Sequence, residues 1–228
     1  MNLALLLISG ATSYCGTAIS ILSNSFLYSE HVTNTNAFSI FFILSTLPAI
    51  IFKKPLQKAV GKLRPFAVIK TSEFSRFAVT LLFGFLIINN KYSTYLALIY
   101  IFILAILNTL FLTFYFKTLP KILDESERTK LFSYGSSLSQ IGFFTGLFIF
   151  KQMLGKLNIG YLFCIDACTY FVSFYIFHYI SMLKNYEHAN QVAINSDQKE
   201  FKISSLLNPK IFFYSNYMFS SIFDAPGI

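Results

Sequence analysis

Long apolar runs separated by short polar connections leave this chain few folds, and one connection constrains the rest. Between Phe52 and Arg76 the sequence carries Lys53, Lys54, Lys58, Lys62, Arg64 and Lys70. Short loops dense in Lys and Arg stay on the cytoplasmic side of a membrane, so this segment sets the direction of every apolar run around it. Composition agrees. Charged residues make up 12% and hydrophobic residues 55%, whereas a soluble domain carries about 25% charged residues. So few charges cannot cover a water-facing surface of 228 residues.

The expected fold is an all-α membrane protein, a six-helix transmembrane bundle of two three-helix repeats with a partial seventh helix. The expected spans are Leu3–Leu27, Phe38–Phe52, Pro65–Ile88, Tyr95–Phe116, Leu131–Met153 and Gly160–Met182. The first is too long for a signal-peptide core, and Met1-Asn2 supplies no basic flank. Pro48 inside the second is tolerated because neighbouring helices re-satisfy the freed carbonyl. Residues 1–183 form the bundle, 184–210 a polar cytoplasmic loop, and 211–228 the start of a seventh span that reads as cut off at Ile228.

The charge ledger orients the bundle. With the N-terminus cytoplasmic, Lys91, Lys151 and Lys156 are the outer basic residues, and the other 15 of 18 lie on or near the inner face. The net charge of +8 sits in connections rather than on an aromatic-interleaved basic face, so nucleic acid is not an expected partner. Trp is absent, and the 14 Tyr take the interfacial role.

Polar groups inside apolar runs are the candidate functional residues, because burying a charge in lipid costs several kcal/mol. Glu73 and Arg76 share a helix face at i,i+3, near the inner boundary, and can neutralise one another structurally or act in gating. Asp166 lies about two turns into span six from outside, as polar glue or as a substrate or proton contact. Ser13 and Asn108 are the other pathway candidates. Gly10, Ser13, Gly16 and Ser20 form a small-residue stripe, and Gly142 and Gly146 repeat at a four-residue step, both suited to close helix packing.

Cys15, Cys164 and Cys168 all fall in apolar runs, which excludes a secreted disulfide framework. Cys164 and Cys168 could clip a soft metal at i,i+4, but no further ligands complete a site, so ordinary buried cysteines are expected. No metal or cofactor is implied. His178 reads as interfacial, and Phe143, Phe144 and Phe148 as lipid-facing or packing groups. There is no Gly-rich phosphate loop, Ser–His or Ser–Lys arrangement, or carboxylate pair, so no enzyme is expected.

Two segments carry a family resemblance. Pro55–Arg64 followed by Glu73-Phe-Ser-Arg76 resembles the loop between spans two and three of the major facilitator superfamily. Leu119-Pro120, Ser136 to Gly142, and Tyr161 to Phe171 centred on Asp166 look like the linker and spans five and six of its drug and siderophore exporters. The similarity covers the N-terminal half of such a transporter.

The chain departs from the pattern at Gln57 and Gly61, where the loop motif has Gly and Asp, although Lys62 keeps a positive charge. Gly146-Leu147 replaces the Gly-Pro of the antiporter signature, and Asn108 and Thr109 stand in span four without its Arg. The usual gate and proton coupling are therefore not implied.

The resemblance implies a secondary active transporter, exporting a small molecule such as a drug or siderophore by alternating access in a bacterial inner membrane. Its partners would be membrane lipid, a substrate the sequence does not specify, and a second transporter half. The alternative is a truncated or decayed non-transporting polypeptide, or a half that needs a partner chain.

Reporter fusions after Lys62, Lys130 and Lys199 are expected to read cytoplasm, and fusions after Asn34, Asn90 and Lys156 the outside. A cytoplasmic signal after Asn90 would overturn the six-span topology.

Overall fold

The structure, a computed structural model, describes residues 2–31, 43–52, 55–56 and 63–182. Gln57, Gly61 and Lys62, most of the basic loop, the central segment 184–210 and the run 211–228 lie outside the described residues.

The described residues are all helical apart from turns and caps. Helix α1 spans Asn2–His31, α2 Ile43–Phe52, α3 Pro65–Ile88, α4 Thr94–Ile122, α5 Glu125–Met153 and α6 Ile159–Met182. Their ends follow local chemistry. Pro65 occupies the first position of α3, where its missing N–H costs nothing. Asn90, at φ 55°, reverses the chain after α3, and the Asn90 and Lys91 amides close back on the carbonyls of Ile87 and Leu86. The Ser93 side chain accepts the Leu96 N–H at the start of α4 (3.3 Å). Glu125 and Glu127 in the first turn of α5 and Lys151 in its last complement the helix dipole. The α4 helix runs through Lys117 and Pro120, six residues beyond the expected end of span four.

Four helices, α1, α3, α4 and α6, are long and apolar enough to cross a bilayer, and the chain is on that ground a membrane protein. The expected fifth span differs. Although α5 has 29 residues, it is not among the four. Ser133, Ser136, Ser137, Ser139, Gln140 and Thr145 interrupt its apolar residues, and all but Ser139 are exposed.

Packing runs in the order α5, α1, α6, α3, α4, with lighter contact from α4 to α1 and to α5. Small residues set the close approaches. A side chain at Gly142 or Gly146 would run into the backbone carbonyl of Ala11 or Cys15, so α1 and α5 pack backbone to backbone there. Gly84 and Gly160 do the same reciprocally between α3 and α6, each within 3 Å of where the other would need side-chain space. Gly10 departs from the expected stripe, since a side chain there would meet nothing within 4 Å. Six residues separate it from Gly16, which places the two roughly 120° apart around the helix. The buried line on α1 is instead Leu6, Ser9, Gly16, Ser20, Ser23 and Leu27.

Two apolar clusters cap the interior. One gathers Leu6, Phe66, Ile69, Phe114, Leu119, Ile176 and Phe177, toward the start of α1 and α3. The other gathers Leu27, Phe83, Ile87, Tyr100 and Phe163 at their far end. Phe83 stacks on Tyr100 at 4.0 Å, with Phe163 edge-on to both. Between the clusters lies a polar layer.

Gly146→Ala is expected to lose roughly 1–3 kcal/mol, because its new methyl meets a backbone carbonyl that cannot swing aside. Gly10→Ala is expected to be neutral, or to gain up to about 1 kcal/mol from helix propensity. Thermal unfolding of both variants in detergent checks the contrast, and equal stabilities would remove the close α1–α5 contact.

Candidate functional site

Interior positions of α1, α3 and α6 turn polar at one level. On α3, Phe66 and Ile69 give way to Ser72, Glu73, Arg76 and Thr80 before Phe83 and Ile87 resume the apolar face. On α6, Asp166, Tyr170 and Ser173 stand between Phe163 and Ile176 in the same way. Arg76 and Tyr170 are each the twelfth residue of a 24-residue helix. The two helices cross so that these midpoints meet.

Arg76 is the centre. Its Nη1 donates to Glu73 Oε1 at 2.8 Å, with 5% of Arg76 and 1% of Glu73 exposed. Its guanidinium lies 4.1 Å from the centroid of the Tyr170 ring and 5.5 Å from that of Phe111, a cation held between aromatic faces of two other helices. The expected pairing at i,i+3 is present, but at mid-helix rather than near the inner boundary. Glu73 and Arg76 are nine and twelve residues from Arg64, so the pair sits roughly 14–18 Å along the axis from that cap.

Asp166, also expected as a site residue, is fully buried and within electrostatic reach of Arg76. The Ser20 and Thr169 hydroxyls lie near its carboxylate. Thr169 Oγ1 spends its proton on the backbone carbonyl of Asp166 itself, at 2.7 Å. Neither carboxylate oxygen has a hydrogen bond of standard length and angle among the described residues. Gly16 makes room for it, since a side chain there would lie 2.5 Å from Asp166 Oδ1. The polar layer then extends both ways: Ser9 and Ser173 share a hydroxyl–hydroxyl bond of 2.9 Å beside Glu73. Tyr100 reaches Thr80 at 3.4 Å.

The remaining candidates scatter. Ser13 is half-buried beside this line, and its carbonyl accepts the Thr17 hydroxyl at 2.9 Å. Asn108, at the midpoint of α4, is exposed and outside the cluster. Cys168 is exposed rather than buried, and Cys15 and Cys164 are half-buried. Two residues from Asp166, Cys168 falls on the opposite side of α6. Among the described residues, no three His, Cys, Asp or Glu side chains gather to hold a metal ion.

Sequence reasoning passed over Ser9, Thr80, Tyr100, Tyr170 and Ser173, and placed Ser20 only in the small-residue stripe of α1. The signal was helical spacing: Asp166, Tyr170 and Ser173 at i, i+4 and i+7, matching Glu73, Arg76 and Thr80 at i, i+3 and i+7. One cation facing two carboxyls can hold both in place, or exchange between them when helices move.

Comparison of the chain with family models, curated proteins and solved structures finds no match.

Arg76→Ala is expected to cost roughly 3–5 kcal/mol, because it leaves two buried carboxyls without their cation. Removing Glu73 as well is expected to recover part of that loss. A double-mutant cycle on detergent unfolding measures the coupling, and simple additivity would mean that the pair contributes nothing.

Proposed function

We propose that this chain is the bundle of a secondary transporter of the major facilitator type, carrying a small molecule such as a drug or siderophore outward by alternating access. The observation that carries the reading is the Glu73–Arg76–Asp166 cluster, three ionisable groups buried within the middle third, or at its edge, of helices long and apolar enough to cross a membrane. Such groups are expensive in a bilayer interior and mark pathways, coupling sites or moving charges. Substrate and ion sites of these transporters lie near the midplane.

The contact pattern supports two related three-helix triplets. Exchanging α1 with α4 and α3 with α6 carries the α1–α6 contact onto α4–α3, and returns α3–α6 and α1–α4 to themselves. This is the arrangement that two copies of one triplet produce. On the same reading the N-terminus is cytoplasmic in a bacterial inner membrane, and α2 and α5 complete six spans. A second bundle forms the opposite wall of the pathway.

The exposed polar side of α5 supports a wall. Ser133, Ser137 and Gln140 fall on one helical face and are exposed. Asn108 is exposed halfway along α4. Facing lipid, these groups would be left without partners, whereas facing a water-filled pathway they are solvated.

Labelling by a membrane-impermeant maleimide tests this in a background lacking Cys15, Cys164 and Cys168. Ser137→Cys, Gln140→Cys and Asn108→Cys are expected to react in sealed vesicles. Leu82→Cys, on the exposed apolar side of α3, is expected to stay unreactive. Failure of all three polar-face positions to react would overturn the transporter reading.

A further inference from the structure

A second cluster of polar and aromatic side chains lies outside the buried layer, on the exposed surface of the α3–α6 pair. Lys70, Thr71, Phe74, Ser75, Phe174 and His178 line an open groove of ≈ 400 Å³. Lys70 Nζ donates to Ser181 Oγ at 3.1 Å, a neutral partner. Among the described residues, no carboxylate pairs with Lys70. His178 stands across the groove, stacked on Phe174 at 5.9 Å.

The groove does not stop at its polar end. Phe74 packs on Phe174 at 5.7 Å, and one turn further along Phe77 packs on Phe171 at 5.3 Å. Phe74 and Phe171 are each about half exposed (49% and 46%). The result is an amphipathic track, with a cation and hydroxyls at one end and an aromatic ladder running along the helices from it. Lys70 is five residues from the start of α3 and His178 four from the end of α6. The polar end therefore lies within roughly 8 Å of the helix termini, at headgroup depth for a spanning helix.

We propose that this track is a binding site for an anionic glycerophospholipid, its phosphate against Lys70 and His178 and an acyl chain along the Phe74–Phe174 and Phe77–Phe171 pairs. Charge complementarity selects the anionic headgroup, since basic pockets between membrane helices take up such lipids. Continuity with the exposed ladder selects a lipid over free phosphate, which would leave the aromatic half of the track unused. The inference rests on the membrane reading alone and stands whether or not the chain transports.

The test uses the purified full chain in mild detergent, with lipid retention read by native mass spectrometry. Phosphatidylglycerol is expected to be retained about fivefold more strongly than phosphatidylcholine, the preference that one lysine near the membrane surface provides. Lys70→Gln is expected to abolish the preference, while Lys130→Gln, at an exposed lysine on α5 outside the groove, keeps it and Phe74→Ala weakens retention of both lipids. Equal retention of the two lipids by the unaltered chain, an unchanged preference in Lys70→Gln, or displacement of phosphatidylglycerol by millimolar inorganic phosphate would each overturn the site. Should Lys70→Gln fail to fold, a photo-crosslinking phosphatidylglycerol on the unaltered chain decides. Adducts are expected between residues 70–78 or 171–182, and adducts confined to other segments would refute the proposal.

Discussion

Everything at the centre of this bundle is arranged around a buried guanidinium. Arg76 is 5% exposed at the middle of α3, and two carboxyls, a tyrosine ring and a phenylalanine ring surround it. A buried charge of this kind is tolerated only where partners are close and fixed. The helix supplies the first partner itself, three residues back at Glu73. The others come from α4 and α6, so the cation ties three helices together at one level. Apolar clusters above and below shield that level, strengthening each electrostatic contact inside it and raising the cost of losing any one.

The glycines explain how α6 comes near enough to take part. Asp166 faces Gly16 on α1, where a single added carbon would collide with its carboxylate. A larger residue at position 16 would push α1 and α6 apart and draw the carboxyl away from the cluster. The small residue serves the polar layer as much as the packing.

How much of this was legible depends on the range of the signal. Four of the expected spans appear as helices apolar enough to cross a bilayer, because twenty or so apolar residues in a row announce themselves locally. The Glu73–Arg76 pair was legible for the same reason, since both partners sit on one turn. What failed depends on rotation and on neighbours. Gly10 looked like part of a stripe until the helical angle placed it to one side. Cys168 looked buried because its run is apolar, yet it lies opposite Asp166. Tyr170, Ser173 and Ser9 look like ordinary residues of apolar runs. Only the meeting of three helices makes them partners of a charge. The α5 helix was read from its length, and its polar side carries the information that length hides.

The geometry also limits how the cluster could work in a transporter. Glu73 and Arg76 lie on the same helix, so their bond travels with α3 and survives any movement of that helix as a rigid body. Asp166 and Tyr170 belong to α6, so relative motion of α3 and α6 changes only those two contacts. At one end the pair is pinned by the reciprocal approach of Gly84 and Gly160, where backbone meets backbone and sliding would open a gap. At the other end the tie is a lysine reaching a serine hydroxyl, a long side chain that can follow a shift of an ångström or two. A pivot about the glycine contact is therefore easier than a slide, and its lever arm grows toward Lys70. Arg76, partway along that arm, would move by a fraction of the full displacement. That suffices to alter its reach to Asp166 while its bond to Glu73 stays whole. On the transporter reading, Glu73 is then the fixed counter-charge and Asp166 the variable one.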